Sequence, residues 1–421
     1  LKLIDDPVAE VTSVRAEGSR LWLRTDLDAP LGRVVSCDLT EFEAAGQPTF
    51  TEVIAQSEHT LAGVAAAGDH LTTVELVDAQ PRLSRFTLSG DDLGALDIPG
   101  GALVALNSRA GDPEGFVGFS SVTSPTTAYV FDSDSASVRA LPDLVQGHTG
   151  TFIAPEVTVE LRRATSADGT EVPYFLIVRA DLDLDEPRPT LLWGYGGFKI
   201  PEQADYRPGW SGWLAAGGVL ALANLRGGGE FGTAWHDAGR LAQKQNVFDD
   251  FIAVAEQLKA DGVTSTGQLA LHGRSNGGLL VGAVMTQRPD LAAVALPGVG
   301  VLDMLRFHLF TIGAAWMSDY GDPGDPEQFA DLLAYSPLHN ISDGTAYPAT
   351  LVLTGDHDDR VVPLHSHKFT AALQHAQAGD APILTRVEVA TGHGAGKPAA
   401  MVADEWADLL AFAAHHTGLR P

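Results

Sequence analysis

The sequence predicts an α/β protein in which a doubly wound, mostly parallel sheet follows a partial all-β propeller. A chain of 421 residues exceeds one ordinary domain, so two domains are expected. Residues 1–150 carry short alternating runs of polar and apolar side chains between Gly, Asp and Pro, which is typical of β-strands. Beyond residue 150, apolar strands alternate with helix-like stretches. We therefore divide the chain into a propeller region, 1–150, and a second domain, 151–421.

The β-rich region repeats at an interval that is typical of propeller blades. Its predicted strands span 20–25, 33–39, 71–77, 82–88, 102–106, 115–121 and 128–131. They fall into three four-strand units near 12–56, 60–98 and 101–145, which gives a period of about 40–45 residues. A plain β-sandwich is the alternative, because the units share little sequence. A closed propeller typically has about 4–8 blades, so three blades predict an open one.

The second domain begins with a predicted hairpin and continues with alternating strands and helices. The hairpin joins 156–164 to 172–180 through an Asp-Gly turn at 168–169, which is a strong hairpin signal. The predicted strands that follow span 190–193, 218–223, 269–272, 292–297, 350–354 and 384–389. The predicted helices span 248–261, 277–288, 365–376 and 399–416. This alternation predicts a sheet with helices on both faces.

Composition and charge disfavour several classes of protein. The chain has 54 acidic and 27 basic residues, and its formal net charge of −27 disfavours binding to nucleic acid through a basic surface. A single cysteine, Cys37, allows no intramolecular disulfide and no cysteine-based zinc site. The longest apolar stretches, 213–225 and 291–302, are too short to span a bilayer. We expect no membrane association and a cytoplasmic location, with a periplasmic or secreted protein as the alternative.

The clearest chemical signal is the segment 273–277, which reads Gly-Arg-Ser-Asn-Gly. It lies between an apolar strand and a helical run, which is the context of a G-x-S-x-G nucleophile elbow. Glycines flank the serine because the turn leaves no room for side chains against the neighbouring strand and helix. The Ser275 hydroxyl is then placed at a helix N-terminus, where backbone N–H groups can bind an oxyanion. The alternative is a glycine-rich turn with an incidental serine.

A serine nucleophile needs a base and a carboxylate that orients the base, and on this kind of sheet both follow the serine along the chain. The strand 350–354 leads into a loop with Asp356, Asp358 and Asp359, which spacing alone cannot rank. The strand 384–389 leads into a glycine-flanked loop that carries His393. Ligands of open α/β sheets bind at the carboxyl ends of the strands, so both loops are expected at the site.

Two other motifs indicate different chemistry less well. His357 and the three neighbouring Asp residues suggest a metal site, but no second cluster with ligand spacing accompanies them, so we expect no metal. The segment 227–232 matches the glycine pattern of dinucleotide-binding proteins, but its Glu230 would face a pyrophosphate with like charge. We therefore expect no cofactor.

The chain resembles the prolyl oligopeptidase family of serine peptidases. The similar segments are 193–198 (WGYGGF), 224–232 (NLRGGGEFG), 245–251 (QNVFDDF), 275–278 (SNGG), 335–340 (YSPLHN), 356–363 (DHDDRVVP) and 392–398 (GHGAGKP). Together they extend through essentially all of residues 160–400, and the SNGG segment favours the prolyl endopeptidase branch. The family combines an α/β-hydrolase domain with a seven-bladed propeller, so the resemblance implies that fold here.

The resemblance also implies a role for each matching residue. The nucleophile, carboxylate and base would be Ser275, Asp358 and His393, and the oxyanion would be bound by the Tyr195 hydroxyl and the Asn276 backbone N–H. Arg360 would donate hydrogen bonds to the carbonyl that precedes the proline. The implied proline pocket consists of Trp316, Phe198, Val301, Ile312, Tyr320 and Val361. The implied activity is cleavage of short proline-containing peptides after proline, through an acyl-enzyme and without a cofactor.

Two departures from the family pattern bear on this interpretation. Arg274 stands beside Ser275 where the family usually has glycine. The region before the second domain has room for only three blades, so we expect the C-terminal part of a longer protein or a truncated gene, with a complementary N-terminal segment as a candidate partner. Two other functions stay open. One is an esterase or acylaminoacyl-type hydrolase with the same triad, and the other is an inactive fragment that only binds.

Overall fold

The computed structural model describes residues 8–41, 48–141, 154–394 and 396–420. The chain divides into two units. The first, the propeller unit, comprises residues 1–153 together with 203–206 and 229–235. The second, the α/β unit, comprises 154–202, 207–228 and 236–421.

Three four-stranded antiparallel sheets form the propeller unit. The first contains β1 (Val11–Glu17), β2 (Arg20–Thr25), β3 (Arg33–Asp38) and β4 (Thr51–Ile54). The second contains β5 (Thr60–Ala67), β6 (His70–Val77), β7 (Gln80–Thr87) and β8 (Asp92–Ala95). The third contains β9 (Ala102–Arg109), β10 (Asp112–Ser121), β11 (Ser124–Asp132) and β12 (Val138–Ala140). Strands that follow one another in sequence are neighbours in each sheet, which confirms the predicted partial propeller rather than a sandwich.

Buried apolar side chains join neighbouring blades of the propeller unit. One cluster combines Trp22 and Val34 of the first sheet with Leu61 and Leu71 of the second. Another combines residues of the second and third sheets, namely Ala67, Val74, Leu83, Leu96, Val117, Phe119 and Phe131. Each sheet therefore buries its faces against its neighbours in the chain, which is how blades of a propeller are stabilised.

An eight-stranded mixed sheet forms the centre of the α/β unit. Its strands are β13 (Val157–Thr165), β14 (Glu171–Arg179), β15 (Thr190–Trp193), β16 (Val219–Ala223), β17 (Leu269–Arg274), β18 (Val294–Gly298), β19 (Ala349–Gly355) and β20 (Ile383–Glu388). Their order is β13-β14-β16-β15-β17-β18-β19-β20. The predicted hairpin β13–β14 joins the sheet antiparallel to β16, and the pairs from β16 to β20 are parallel. This confirms the predicted α/β class.

Eight α-helices lie in the described residues. They are α1 (Pro208–Ala215), α2 (Gly232–Asp237), α3 (Gln245–Ala260), α4 (Asn276–Gln287), α5 (Met317–Tyr320), α6 (Pro326–Tyr335), α7 (Leu364–Ala376) and α8 (Ala399–Thr417). Within the described ranges, none of them has both the length and the apolar character needed to cross a membrane.

Helices pack on both faces of the mixed sheet. On β17, the ring of His272 lies 5.8 Å from that of Trp406 on α8. The preceding residue, Leu271, belongs instead to the apolar core that contains Leu280 of α4. Successive side chains of a strand point to opposite faces, so α8 and α4 lie on different sides. Helix α1 packs against α8, and α3 packs against α4.

Candidate active site

Ser275 lies in a tight turn between β17 and α4. Its backbone has φ 57° and ψ −117°, an unfavourable conformation of the kind that costs about 1–3 kcal/mol and concentrates at functional sites. Its N–H donates to the carbonyl oxygen of Gly298 over 2.9 Å. Its carbonyl oxygen accepts from the N–H groups of Gly278 and Leu279 at 2.9 and 3.1 Å. These bonds fix the turn from both sides and leave the serine side chain partly exposed.

The two glycines of the elbow pattern are required by contacts. A Cβ atom on Gly273 would lie 2.4 Å from the carbonyl oxygen of Gly277, closer than real Cβ contacts. A Cβ atom on Gly277 would lie 2.5 Å from the carbonyl oxygen of Gly194, which directly follows the neighbouring strand β15. Only glycine fits at either place, which is the physical reason for the predicted pattern.

The buried carboxylate of Asp358 and the half-buried imidazole of His393 form a hydrogen-bonded pair. Asp358 follows β19 and His393 follows β20, so both lie at the sheet edge where β17 ends. Asp358 Oδ2 is 2.7 Å from His393 Nδ1, and its Oδ1 accepts from the N–H groups of Arg360 and Val361 at 3.0 and 2.9 Å. The carboxylate can therefore hold the proton on Nδ1, which leaves Nε2 as the basic nitrogen.

The two neighbouring carboxylates have other surroundings. Asp356 pairs with His357 Nδ1 at 2.7 Å and accepts from the Thr391 N–H at 3.3 Å. Asp359 is exposed to solvent. Of the three carboxylates that spacing could not rank, Asp358 is the one that contacts His393.

Arg274 connects the elbow to the loop that carries His393. Its Nη1 donates to Glu405 Oε1 on α8 at 2.5 Å, and Lys397 pairs with the other oxygen of Glu405. Its Nη2 lies 3.5 Å from where a Cβ atom on Gly394 would be. Although burial acts in the opposite direction, Arg274 and Lys397 lower the pKa of Glu405. The elbow and the histidine loop therefore share one carboxylate.

The hydroxyl of Ser275 forms no hydrogen bond with His393 in the part of the chain that the structure describes. The two residues lie on loops that the Arg274 contacts bring together. Apo enzymes often have long catalytic hydrogen bonds that tighten only when substrate is bound, so this arrangement is compatible with a serine–histidine pair.

The loop that follows β15 places Tyr195 beside the elbow. Asn276 Nδ2 donates to the carbonyl oxygen of Tyr195, and Asn276 Oδ1 accepts from the hydroxyl of Tyr320 at 3.0 Å. Burial, reinforced by the charges of Glu202 and Asp319, raises the pKa of Tyr195. Its hydroxyl therefore stays protonated at neutral pH and can donate a hydrogen bond. The backbone N–H of Asn276 belongs to the first turn of α4, where N–H groups lack partners within the helix.

Four aromatic rings form a cluster next to this loop. The rings of Phe198 and Tyr320 are 5.3 Å apart in an edge-to-face arrangement, as are those of Phe307 and Tyr320. Trp316 stacks on Phe307 with centroids 6.5 Å apart and an angle of 14° between the planes. Such pairs bury apolar area and fix the orientation of the rings. Phe307 was not predicted from the sequence.

The remaining predicted pocket residues divide into buried and exposed ones. Val301 and Val361 are buried in the same apolar core as Tyr320. Ile312 is 51% exposed, and Arg360 is exposed as well. The carbonyl oxygen of Arg360 accepts a hydrogen bond from Thr311 Oγ1 at 2.6 Å. This bond connects the loop that carries Asp358 to the segment that carries Ile312.

Sequence reasoning also missed three polar residues behind the Tyr195 loop, namely His236, Lys244 and Asp319. Asp319 lies beside the predicted Tyr320, and Lys244 directly precedes one of the segments that carry the family resemblance. No spacing rule connects the three, because 83 positions separate the first from the last.

The comparisons with known proteins bear on both units. Residues 210–420 match the prolyl oligopeptidase family, and residues 1–143 match the N-terminal β-propeller domain of prolyl oligopeptidases. The chain is 42% identical over 416 residues to a prolyl endopeptidase of Elizabethkingia miricola, an alignment that covers 98% of the chain and 58% of that protein. It is 37% identical over 402 residues to a prolyl endopeptidase of Dictyostelium discoideum, which covers 92% of the chain and 52% of that protein. The chain thus spans little more than half the length of these relatives.

Solved structures of related enzymes are also similar to the chain over nearly its whole length. A structure from a study of two prolyl endopeptidases has a TM-score of 0.92 and 38% identity, and the match covers 99% of this chain and 61% of that one. Prolyl oligopeptidase B from Galerina marginata, bound to a 35-residue hydrolysis and macrocyclization substrate, also has a TM-score of 0.92, at 31% identity and covering 100% and 59%. Because the two domain matches and the identity to prolyl endopeptidases agree with these solved structures, the chain belongs to the prolyl oligopeptidase family.

Proposed function

We propose that the α/β unit is the catalytic domain of a serine endopeptidase that cleaves short peptides on the carboxyl side of proline. The observation that carries this proposal is the hydrogen bond between the buried Asp358 and His393, which lies at the sheet edge where the strained Ser275 turn begins α4. An aromatic cluster and the half-buried Tyr195 beside the same turn would supply a pocket and an oxyanion donor. Because the chain covers only 58% of the length of the Elizabethkingia miricola relative, the activity of the whole protein is part of the same proposal.

In the proposed reaction, Ser275 Oγ attacks the carbonyl carbon of the prolyl residue. His393 Nε2 takes the hydroxyl proton and later gives it to the leaving amine, while Asp358 keeps the Nδ1–H in place and stabilises the imidazolium. The oxyanion accepts hydrogen bonds from the Tyr195 hydroxyl and the backbone N–H of Asn276. Water then attacks the acyl-enzyme by the same route in reverse, so the reaction needs no cofactor.

Proline selectivity would come from shape and stacking. A prolyl residue has no N–H for a pocket to bind, and its ring is small, apolar and rigid. Trp316 presents a flat indole, and Phe198 and Tyr320 meet edge to face beside it. The exposed Arg360 would donate to the carbonyl that precedes the proline and set the register of the peptide. The names of the relatives, prolyl endopeptidases, point to the same residue class.

A fluorophosphonate probe tests the nucleophile directly. We expect the wild-type chain to be labelled once, at Ser275, and both Ser275→Ala and His393→Ala to abolish labelling because the three triad residues act as a unit. A control is Ser336→Ala, which removes the hydroxyl of a buried serine of the α/β unit. No labelling of the wild type would mean an inactive fragment, and labelling without turnover of prolyl peptides would favour the esterase alternative.

A further inference from the structure

Three polar side chains, those of His236, Lys244 and Asp319, lie together behind the loop that carries Tyr195. The Lys244 ammonium is 3.5 Å from Asp319 Oδ2, and His236 Nε2 is 2.8 Å from Asp319 Oδ1. The side chains of Lys244 and Asp319 are only 1% and 2% exposed. They come from three separate elements, since Lys244 precedes α3, Asp319 lies in α5 and His236 in α2.

Lys244 and Asp319 also bind the backbone that directly follows Tyr195. Lys244 Nζ donates to the carbonyl oxygen of Gly196 at 3.0 Å. Asp319 Oδ1 accepts from the N–H of Phe198 at 3.1 Å. The side chain of Asn276 holds the carbonyl oxygen of Tyr195 itself. Side chains of the α/β unit therefore hold the loop backbone at three residues, Tyr195, Gly196 and Phe198.

Stability alone does not explain such a cluster. Removing two charges from water costs several kcal/mol per ion in real proteins, and replacing a buried pair by apolar residues of similar size is often neutral or stabilising. A buried pair is better explained by what its geometry fixes. Here it fixes two backbone groups, in Gly196 and Phe198, of the segment that directly follows Tyr195, whose hydroxyl must meet a transient oxyanion within a fraction of an ångström.

We infer that Lys244, Asp319 and His236 are positioning residues that hold the Tyr195 hydroxyl in place for the oxyanion. They do not touch the substrate and act through the backbone of residues 194–198. The inference rests on the proposed function, because it assumes that Tyr195 donates to the oxyanion. It predicts that the cluster contributes to turnover only as long as the Tyr195 hydroxyl is present.

A double-mutant cycle tests this coupling. The first change replaces the pair by apolar residues of similar size, Lys244→Met with Asp319→Leu, and the second is Tyr195→Phe. A matched control, Lys368→Met with Asp303→Leu, removes another lysine–carboxylate pair with a buried carboxylate, whose side-chain contacts do not include residues 194–198. Each variant is assayed for kcat and KM on a prolyl anilide, for the rate of fluorophosphonate labelling, and for unfolding in urea.

We expect the apolar pair to lower kcat and the labelling rate by about 10²-fold, the scale of a misplacement near 1 Å, with little change in KM. In the Tyr195→Phe background, the same replacement should lower kcat and the labelling rate by a much smaller factor. The control pair should leave kcat near the wild-type value. If the apolar pair lowers kcat by the same factor with and without the Tyr195 hydroxyl, the inference is overturned, because the cluster would then not act through that hydroxyl.

Two further measurements separate the possible failures. If the apolar pair does not fold, Asp319→Asn keeps an acceptor for the Phe198 N–H, removes the charge and enters the same cycle. Amide hydrogen exchange of residues 194–198 needs no activity, and it should become faster in either variant. A wild type that is labelled without cleaving prolyl anilide contradicts the proposed specificity, while the labelling cycle still decides the inference. If the wild type is not labelled, unchanged exchange at 194–198 overturns the inference.

Discussion

The carboxylate of Asp358 uses its two oxygens for different purposes. Oδ1 accepts from two backbone N–H groups of its own loop, and Oδ2 faces His393 Nδ1. The loop bonds fix the carboxylate, and the fixed carboxylate selects the imidazole tautomer that can act as a base. An asparagine at this position keeps the shape and loses that selection, since its amide group can present N–H to the histidine.

Asp358→Asn should therefore lower kcat by about 10⁴-fold, the loss seen when the orienting carboxylate of a serine triad becomes an amide. Asp356→Asn is the matched control two positions away, and it should change kcat little because Asp356 pairs with the exposed His357. Steady-state kinetics on one peptide substrate give the kcat of both variants for this comparison. A large loss for Asp356→Asn with a small loss for Asp358→Asn would contradict the triad.

Residues whose position depends on local geometry could be predicted from the sequence. Ser275 is one, because the strand, the two glycines and the helix around it define its turn. Asp358 could not be distinguished from its neighbours by spacing, because the path of the loop after β19 decides which carboxylate faces β20. Lys244 and Asp319 were not predicted at all, because they meet only through packing of distant elements.

At the scale of elements, three loops at one edge of the sheet must keep fixed positions relative to one another. They follow β17, β19 and β20 and carry Ser275, Asp358 and His393. The Arg274–Glu405–Lys397 contacts connect two of them, the elbow after β17 and the histidine loop after β20, through α8. The side chain of Glu405 is only 12% exposed, so these contacts are weakly screened by solvent. The side chain of Arg274 thus pairs with a carboxylate on α8.

Arg274→Met removes the guanidinium and keeps the length of the side chain. We expect kcat to fall by about tenfold, which corresponds to about 1.4 kcal/mol, with KM nearly constant, because the histidine loop loses one of its connections. Arg288→Met is the control, since Arg288 pairs with Glu256 and Asp290 at the other end of α4. A kcat for Arg274→Met equal to that of the control would show that the contacts do not position His393.

The elements themselves were predictable to different degrees. The long, strongly apolar strands of the α/β unit and the three groups of four strands follow the sequence pattern closely. The pattern did not single out β5 within its group, because its run of alanines and glycine gives little alternation between faces. The antiparallel attachment of the β13–β14 hairpin to β16 is set by tertiary pairing and has no local signal.

At the scale of the whole molecule, two buried histidines connect stability to pH. His272 is fully buried on β17, with Nδ1 2.8 Å from the carbonyl oxygen of Leu296. Burial lowers the pKa of His272 to about 3, although the Leu296 hydrogen bond opposes the shift. Burial likewise lowers the pKa of His365 to about 4. In the unfolded chain, histidine has a pKa of about 6.5.

Between about pH 6.5 and pH 4, the unfolded chain therefore binds protons that the folded protein does not bind. The free energy of unfolding should fall as the pH falls through this window, by up to about 1.4 kcal/mol per pH unit for each histidine. His272→Phe keeps a ring beside Trp193 and Trp406 and should reduce this slope. Urea unfolding at several pH values measures it, and an unchanged slope would contradict a neutral, buried His272.

The proposed cleavage after proline requires that the aromatic cluster around Trp316 hold the prolyl ring. The measurement is kcat/KM for peptide anilides that differ only in the cleaved residue, with a small ester as reference, for wild type and Trp316→Ala. We predict that the wild type has the highest kcat/KM when the cleaved residue is Pro. Ala should be a weak second, and Lys, Arg and Glu should be far lower. Trp316→Ala should reduce kcat/KM for the prolyl anilide by about 1–3 kcal/mol and barely affect the ester. An equal loss on both substrates, or a wild type without preference for Pro, would contradict the claim.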